Sequence, residues 1–142
     1  MPLPRLIAPV RSIFPRYPIS ASYLFGSQVT GRTTPASDYD FAVLFSSKVL
    51  PSLYSHYKLQ LTIELLQVIH TEFVDLVILN DVRTPLLLKF NIIKHGRVIY
   101  EKSKKARQEL ECDVLLRWFD QQYFENLWYT IFTKNLAQGK IL

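Results

Sequence analysis

Apolar positions recur along this chain with two rhythms, one near the helical repeat and one at every second residue. Positions 3, 6, 7, 10, 13 and 14 are apolar at helical spacing with Pro9 inside them, which predicts a helix that is short or starts near Pro9. Pro15 and Pro18 end it. Ile19 to Phe25 reads as a strand broken by Gly26-Ser27, residues 28–37 as a polar loop, and Tyr39 to Phe45 as a second strand. Pro51 suits a first helical turn, and a helix is predicted to about Ile69 with positions 50, 54, 57, 61, 65 and 68 as its stripe. Phe73 to Leu79 (FVDLVIL) is apolar except for Asp75, the pattern of a central buried strand. Thr84-Pro85 starts a helix and Gly96 stops it; Arg97 to Tyr100 is a short strand. From about Ser103 the pattern is helical to the end, with Asp120 capping a second helix and Gly139 closing it. Strands and helices interleave, so the expected fold class is mixed α/β, one small sheet packed by helices.

Composition narrows the class. With 142 residues the chain has room for one domain with a proper core, not two. A net charge of +5 favours polyanionic ligands without choosing among them. The densest basic cluster, Arg97, Lys102, Lys104, Lys105 and Arg107, reads as a solvated loop and helix start. The single cysteine, Cys112, excludes an internal disulfide and, among apolar neighbours, reads as buried and inert. No segment has signal-peptide character or membrane-spanning length, so a soluble cytoplasmic protein is expected. His56, His70 and His95 lack ligand spacing, which argues against zinc.

The candidate chemistry lies in YLFGSQVTGRTTPASDYDFAVLF, Tyr23 to Phe45. Asp38 and Asp40 are two apart on a strand and share one face, with Tyr39 on the other. They are the only acids in the first 63 residues. Adjacent like charges need neutralising, and a divalent cation with oxygen ligands does so. Asp75 follows Asp40 after 34 residues, room for a helix that returns the chain and lays the third strand beside the second. Three carboxylates holding Mg²⁺ suit nucleotidyl transfer, in which metal activates the attacking hydroxyl and steadies the leaving pyrophosphate. Gly26 lets backbone approach phosphate oxygens, and Ser27 adds a hydroxyl donor.

Gly26-Ser27, ten residues, then Asp38-Tyr39-Asp40 resembles the signature of the nucleotidyltransferase superfamily that includes DNA polymerase β. Leu24-Phe25, Gly31 and Ser37 look like its minimal nucleotidyltransferase (MNT) branch, and FVDLVIL places Asp75 at the third carboxylate. PLLLKFNIIKHGRVIYE and Trp118-Phe119-Asp120 continue the likeness, which covers roughly residues 20 to 125. The resemblance implies a polymerase β-like fold with a nucleotidyltransferase core over 1–102 and a helical extension over 103–142 packing on it. It implies that Asp38, Asp40 and Asp75 bind Mg²⁺, two ions in all, that Asp75 helps deprotonate the acceptor, and that Gly26 and Ser27 hold the triphosphate of ATP. It further implies an antitoxin that transfers AMP to a tyrosine of a HEPN-domain ribonuclease toxin, with neither a membrane nor a nucleic-acid target. Tyr39 departs from the family's usual aliphatic residue; it faces away from the metals.

Two other readings stand beside this one. A steric antitoxin would plug the ribonuclease by binding alone, using the basic surface and the aromatic tail from Trp118 to Phe132. A small-molecule nucleotidyltransferase of the aminoglycoside type would carry a larger second domain, for which the chain has little room. Lys89, Lys94 and Arg97 lie where they can reach a phosphate, though surface snorkelling is the default for such side chains.

Overall fold

The computed structural model describes residues 3–26, 29, 39–70 and 73–139. Its elements are α1 (Leu3–Arg11), β1 (Ile19–Phe25), β2 (Tyr39–Phe45), α2 (Tyr54–Ile69), β3 (Val74–Ile78), α3 (Leu86–His95), β4 (Arg97–Glu101) and α4 (Lys104–Ala137). The four strands form one mixed sheet in the order β3-β2-β1-β4. β1 is antiparallel to both β2 and β4, whereas β2 and β3 are parallel. The parallel pair is joined through α2, a crossover that needs a helix between its strands.

Strand alternation sorts the core into two layers. Phe41, Val43 and Phe45 of β2 and Leu76 and Ile78 of β3 pack with Leu6 and Val10 of α1 and Leu61 and Leu65 of α2. On the opposite face, Ala21, Tyr23, Ala42, Leu44 and Leu79 meet Ile92 of α3, with Ala106 and Leu110 of α4 against them. The result is a sheet between two helical layers, each burying one apolar stripe.

Polar clamps fix the layers. Asn80 acts as a side-chain continuation of β3: its Oδ1 accepts from Phe45 N (2.6 Å) and its Nδ2 donates to Phe45 O (2.9 Å). Tyr23 donates to Glu111 Oε1 (2.7 Å), and Arg107 bridges Glu111 (2.9 Å) and Glu101 (2.5 Å). This network fastens the start of α4 to β1 and β4. Burial, then the Glu111 carboxylate, pushes the Tyr23 phenol well above its usual range. Tyr17 is held similarly by Glu64 (2.8 Å), and burial followed by that bond pushes its phenol up to about 12.

Several sequence expectations are corrected. α1 is short, nine residues, as expected, but it runs through Pro9 and does not start there. Proline removes one backbone donor there, and the helix buries Leu6, Ile7 and Val10 regardless. Leu50 is 64% exposed because it precedes the helix, so the stripe of α2 begins at Tyr54. β3 is an edge strand, not a central one; Phe73 is exposed, and apolar burial on β3 comes mainly from Leu76 and Ile78 facing α1 and α2. Asp120 caps nothing. It lies inside one 34-residue helix whose cap is Ser103, accepting from Ala106 N (3.1 Å), and no Gly or Pro interrupts that helix. Cys112 is exposed, because it lies two residues from the inward-facing Leu110 and therefore on another side of α4. Arg107, placed in a solvated cluster by the sequence, is instead the centre of an ion-pair network.

Candidate active site

The chain reverses after β1 at Gly26, and Val29 N donates to Gly26 O (3.1 Å). Gly26 has φ +76°, a left-handed conformation that disfavours any side chain. A Cβ there would also run into Asp40 Oδ2 and stand 3.1 Å from Asp40 Cγ. The glycine is thus required twice, by its torsion and by the carboxylate packed against it. Backbone of the turn and the Asp40 side chain share one small volume, with Phe25 and Asp40 as register partners across β1 and β2.

On the other side of β2, Asp40 is the register partner of Asp75 in the parallel ladder. Neighbouring strands lie about 4.8 Å apart, so the two side chains leave the sheet side by side. Their face follows from alternation: Ala42 and Leu44 after Asp40, and Val77 and Leu79 after Asp75, all belong to the layer under α3 and α4. Asp40 is half-buried and Asp75 exposed, so the pair opens at the edge of the sheet. Tyr39 packs into the opposite layer, as its position next to Asp40 predicts.

Gly26, Asp40 and Asp75 are therefore brought together. Ser27 and Asp38 lie outside the described residues, as do Gly31 and Ser37. Among the described residues no three acidic, His or Cys side chains form a metal-ligand group. The two carboxylates present are hard oxygen donors on one face, the chemistry a Mg²⁺ ion takes. Lys94 Nζ lies 5.7 Å from the Phe90 ring centroid, and Lys89 is half-buried, its ammonium lowered by burial and then by Arg117.

Sequence reasoning missed Lys58. With Ser55 of α2 it lines a groove of about 520 Å³ that includes Asp75 and runs along β3. Nothing in a lone exposed lysine of a helix signals this; the crossover helix that carries it runs beside β3.

No helix among the described residues is long and apolar enough to cross a membrane. No curated protein matches the sequence. Solved structures do. The chain is similar to one in a crystal structure of a toxin–antitoxin with AMP-PNP, at 19% identity and TM-score 0.66, covering 92% of this chain and 97% of that one. It is similar to one in the toxin–antitoxin MntA–HepT, at 18% identity and TM-score 0.59, covering 92% and 95%. A third likeness is to a chain in the complex of tri-AMPylated Shewanella oneidensis HEPN toxin with MNT antitoxin, at 17% identity and TM-score 0.56, covering 82% and 84%. At such identities the likeness establishes the shared fold. The family model described as polymerase beta, nucleotidyltransferase matches residues 9–105, from the end of α1 to the start of α4. That span holds the glycine turn, the paired aspartates and the whole sheet, and by this match the chain belongs to the polymerase beta nucleotidyltransferase family.

Proposed function

We propose that the chain is a Mg²⁺-dependent protein adenylyltransferase that moves AMP from ATP to a tyrosine of a HEPN ribonuclease toxin, and so acts as its antitoxin in the cytoplasm. The observation that carries this reading is Asp40, packed against the Gly26 turn on one side and in register with Asp75 on the other. Similar chains come from toxin–antitoxin structures, one with AMP-PNP and one with an AMPylated HEPN toxin, and these support the choice of nucleotide and partner.

Asp40 and Asp75, with Asp38, would hold the metal, and Ser27 would join Gly26 in binding the triphosphate. Bound there, Mg²⁺ supplies Lewis-acid stabilisation of charge on phosphate oxygens. The chain's own groups do the rest. The Gly26 turn brings backbone close to the triphosphate, because no Cβ stands in the way. Asp75, exposed at the sheet edge, accepts the proton of the tyrosine hydroxyl. The phenolic oxygen bonds to the α-phosphorus, the bond from that phosphorus to the bridging oxygen breaks, and pyrophosphate leaves.

Incubation with ATP, Mg²⁺ and the toxin encoded beside the gene, read by intact-protein and peptide mass spectrometry, tests this. Addition of AMP to a tyrosine is expected; an unmodified toxin would rule the reading out.

The steric reading has one observation in its favour. Beyond Trp118, nine large apolar side chains of α4 are 39–68% exposed, among them Trp128 and Tyr129. At about 200 Å² for a full aromatic side chain they present on the order of 1,000 Å², more than a monomer normally exposes. A binding-only antitoxin predicts that Asp40→Ala still restores growth, whereas the enzymatic reading predicts that it does not.

A further inference from the structure

Among the described residues, β3 forms one edge of the sheet. Among the described residues it pairs only with β2. Phe73 O accepts from Tyr39 N (3.0 Å) and Leu79 N donates to Val43 O (2.9 Å), so both residues turn their bonding groups toward β2. Successive residues of a strand turn these groups to opposite sides, so Val74, Leu76 and Ile78 turn theirs outward. Ile78 O is already taken by Thr84 Oγ1 (2.8 Å). Among the described residues, the N–H and C=O groups of Val74 and Leu76 and the N–H of Ile78 remain, a row of two acceptors and three donors along the edge.

Leu76 and Ile78 of this row line the 520 Å³ groove, and Val74 precedes Asp75 at its end. Ser55 and Lys58 form one wall, Thr84, Pro85 and Leu88 the other, and Asp75 stands at the end nearest the active site. Arg83, also in the groove, is neutralised by Asp81 (2.9 Å between Nη2 and Oδ2). Lys58 has no ion pair among the described residues, which leaves it as the groove's uncompensated cation. Residues 75–78 span about 13 Å, the length of three or four residues of extended chain.

We propose that this groove takes an extended segment of the acceptor protein as an added strand on β3, so that the acceptor's tyrosine is delivered to Asp75. The inference rests on the tyrosine-adenylylation reading and adds how the acceptor is held. Main-chain pairing supplies the affinity, and an acidic side chain of the segment meets Lys58. The occupant follows from continuity: the residue that lines the groove's end is the residue assigned to accept the hydroxyl proton.

Hydrogen–deuterium exchange of the full chain, alone and with the toxin encoded beside it, reads the edge directly. The amides of Val74, Leu76 and Ile78 should exchange at least about tenfold more slowly with toxin bound, since strand addition closes each of them. Val74→Pro removes one outward donor and no donor of the β2 ladder, and Lys58→Glu reverses the charge on the α2 wall. Each should raise KM for the toxin about tenfold or more, a loss of roughly one good hydrogen bond or charge contact, with the affinity for AMP-PNP kept. Unchanged exchange in the complex, or wild-type KM in both variants, would overturn the proposal while AMP transfer itself stood. A wild-type chain that transfers no AMP would instead remove the function proposed above, and the exchange experiment would still report whether the toxin occupies this edge.

Discussion

Gly26 and Asp40 show how tightly two residues can be bound to one task. The glycine accepts a left-handed torsion and yields its Cβ space to the carboxylate. Gly26→Ala should therefore cost about 1–3 kcal/mol in a urea titration, from backbone strain. AMP transfer should also fall, by about 100-fold, because Asp40 must swing away from the alanine methyl and a displacement of that size misplaces the reacting groups. Wild-type AMP transfer by a folded Gly26→Ala chain would argue against the contact. Loss of a group behind a metal ligand costs about 10–100-fold, so on the ligand roles proposed for them Asp40→Asn and Asp75→Asn should each exceed about 100-fold in kcat/KM, with the urea midpoint little changed. Tyr17 and Tyr23 govern the alkaline limit. Both phenols have folded-state values raised above the unfolded 10.0, Tyr17 to about 12. Below pH 10 both states keep the proton, and their contribution to stability is complete; above it the unfolded chain loses protons that the folded chain retains, and stability falls as pH rises. The urea midpoint should drop between pH 10 and pH 12, and Tyr17→Phe should flatten the slope. The pairing of Gly26 with Asp40 was legible in the sequence as spacing alone; the contact between them was not, since it depends on the β1–β2 register.

At the scale of elements, the strands were more legible than their order. Both strands flanking the motif were predicted at their observed ends, because alternation and the breaks at Pro18 and Gly26 are local signals. The edge position of β3 was not legible: an apolar run such as FVDLVIL looks the same whether one neighbour or two flank it. α4 shows the converse. Its second half carries aromatic residues spread around the helix, a pattern that implies cover, yet only its first half packs on the sheet and α3, with Trp118 stacked on Phe90 at 4.5 Å. Ending the chain after Gln122 should therefore lower Tm by less than about 5 °C, a change on the order of 1 kcal/mol for a domain of this size. Loss of cooperative unfolding in that truncation would show that the far half supports the core. Copurification with the toxin tests its other role: the truncated chain should bind more weakly if the exposed aromatics are covered by that partner.

For the whole molecule, the fold arranges access. Two helical layers bury the sheet, and the aspartate pair emerges where the cover ends, at the β3 edge beside a groove. A buried pair could serve only a small acceptor, whereas this one can meet a side chain presented by another protein. The network of Tyr23, Glu111 and Arg107 ties α4 to the same sheet, so a partner docked on the far half of α4 would be held in a set orientation to the site. The most direct test of the account follows which phosphorus of ATP reaches the toxin. With Mg²⁺ and the wild-type chain, label from ATP marked at the α-phosphorus should appear on a toxin tyrosine, label at the γ-phosphorus should not, and Asp40→Asn should abolish the transfer. Label arriving from the γ-phosphorus, none arriving from the α-phosphorus, or full transfer by Asp40→Asn would contradict it.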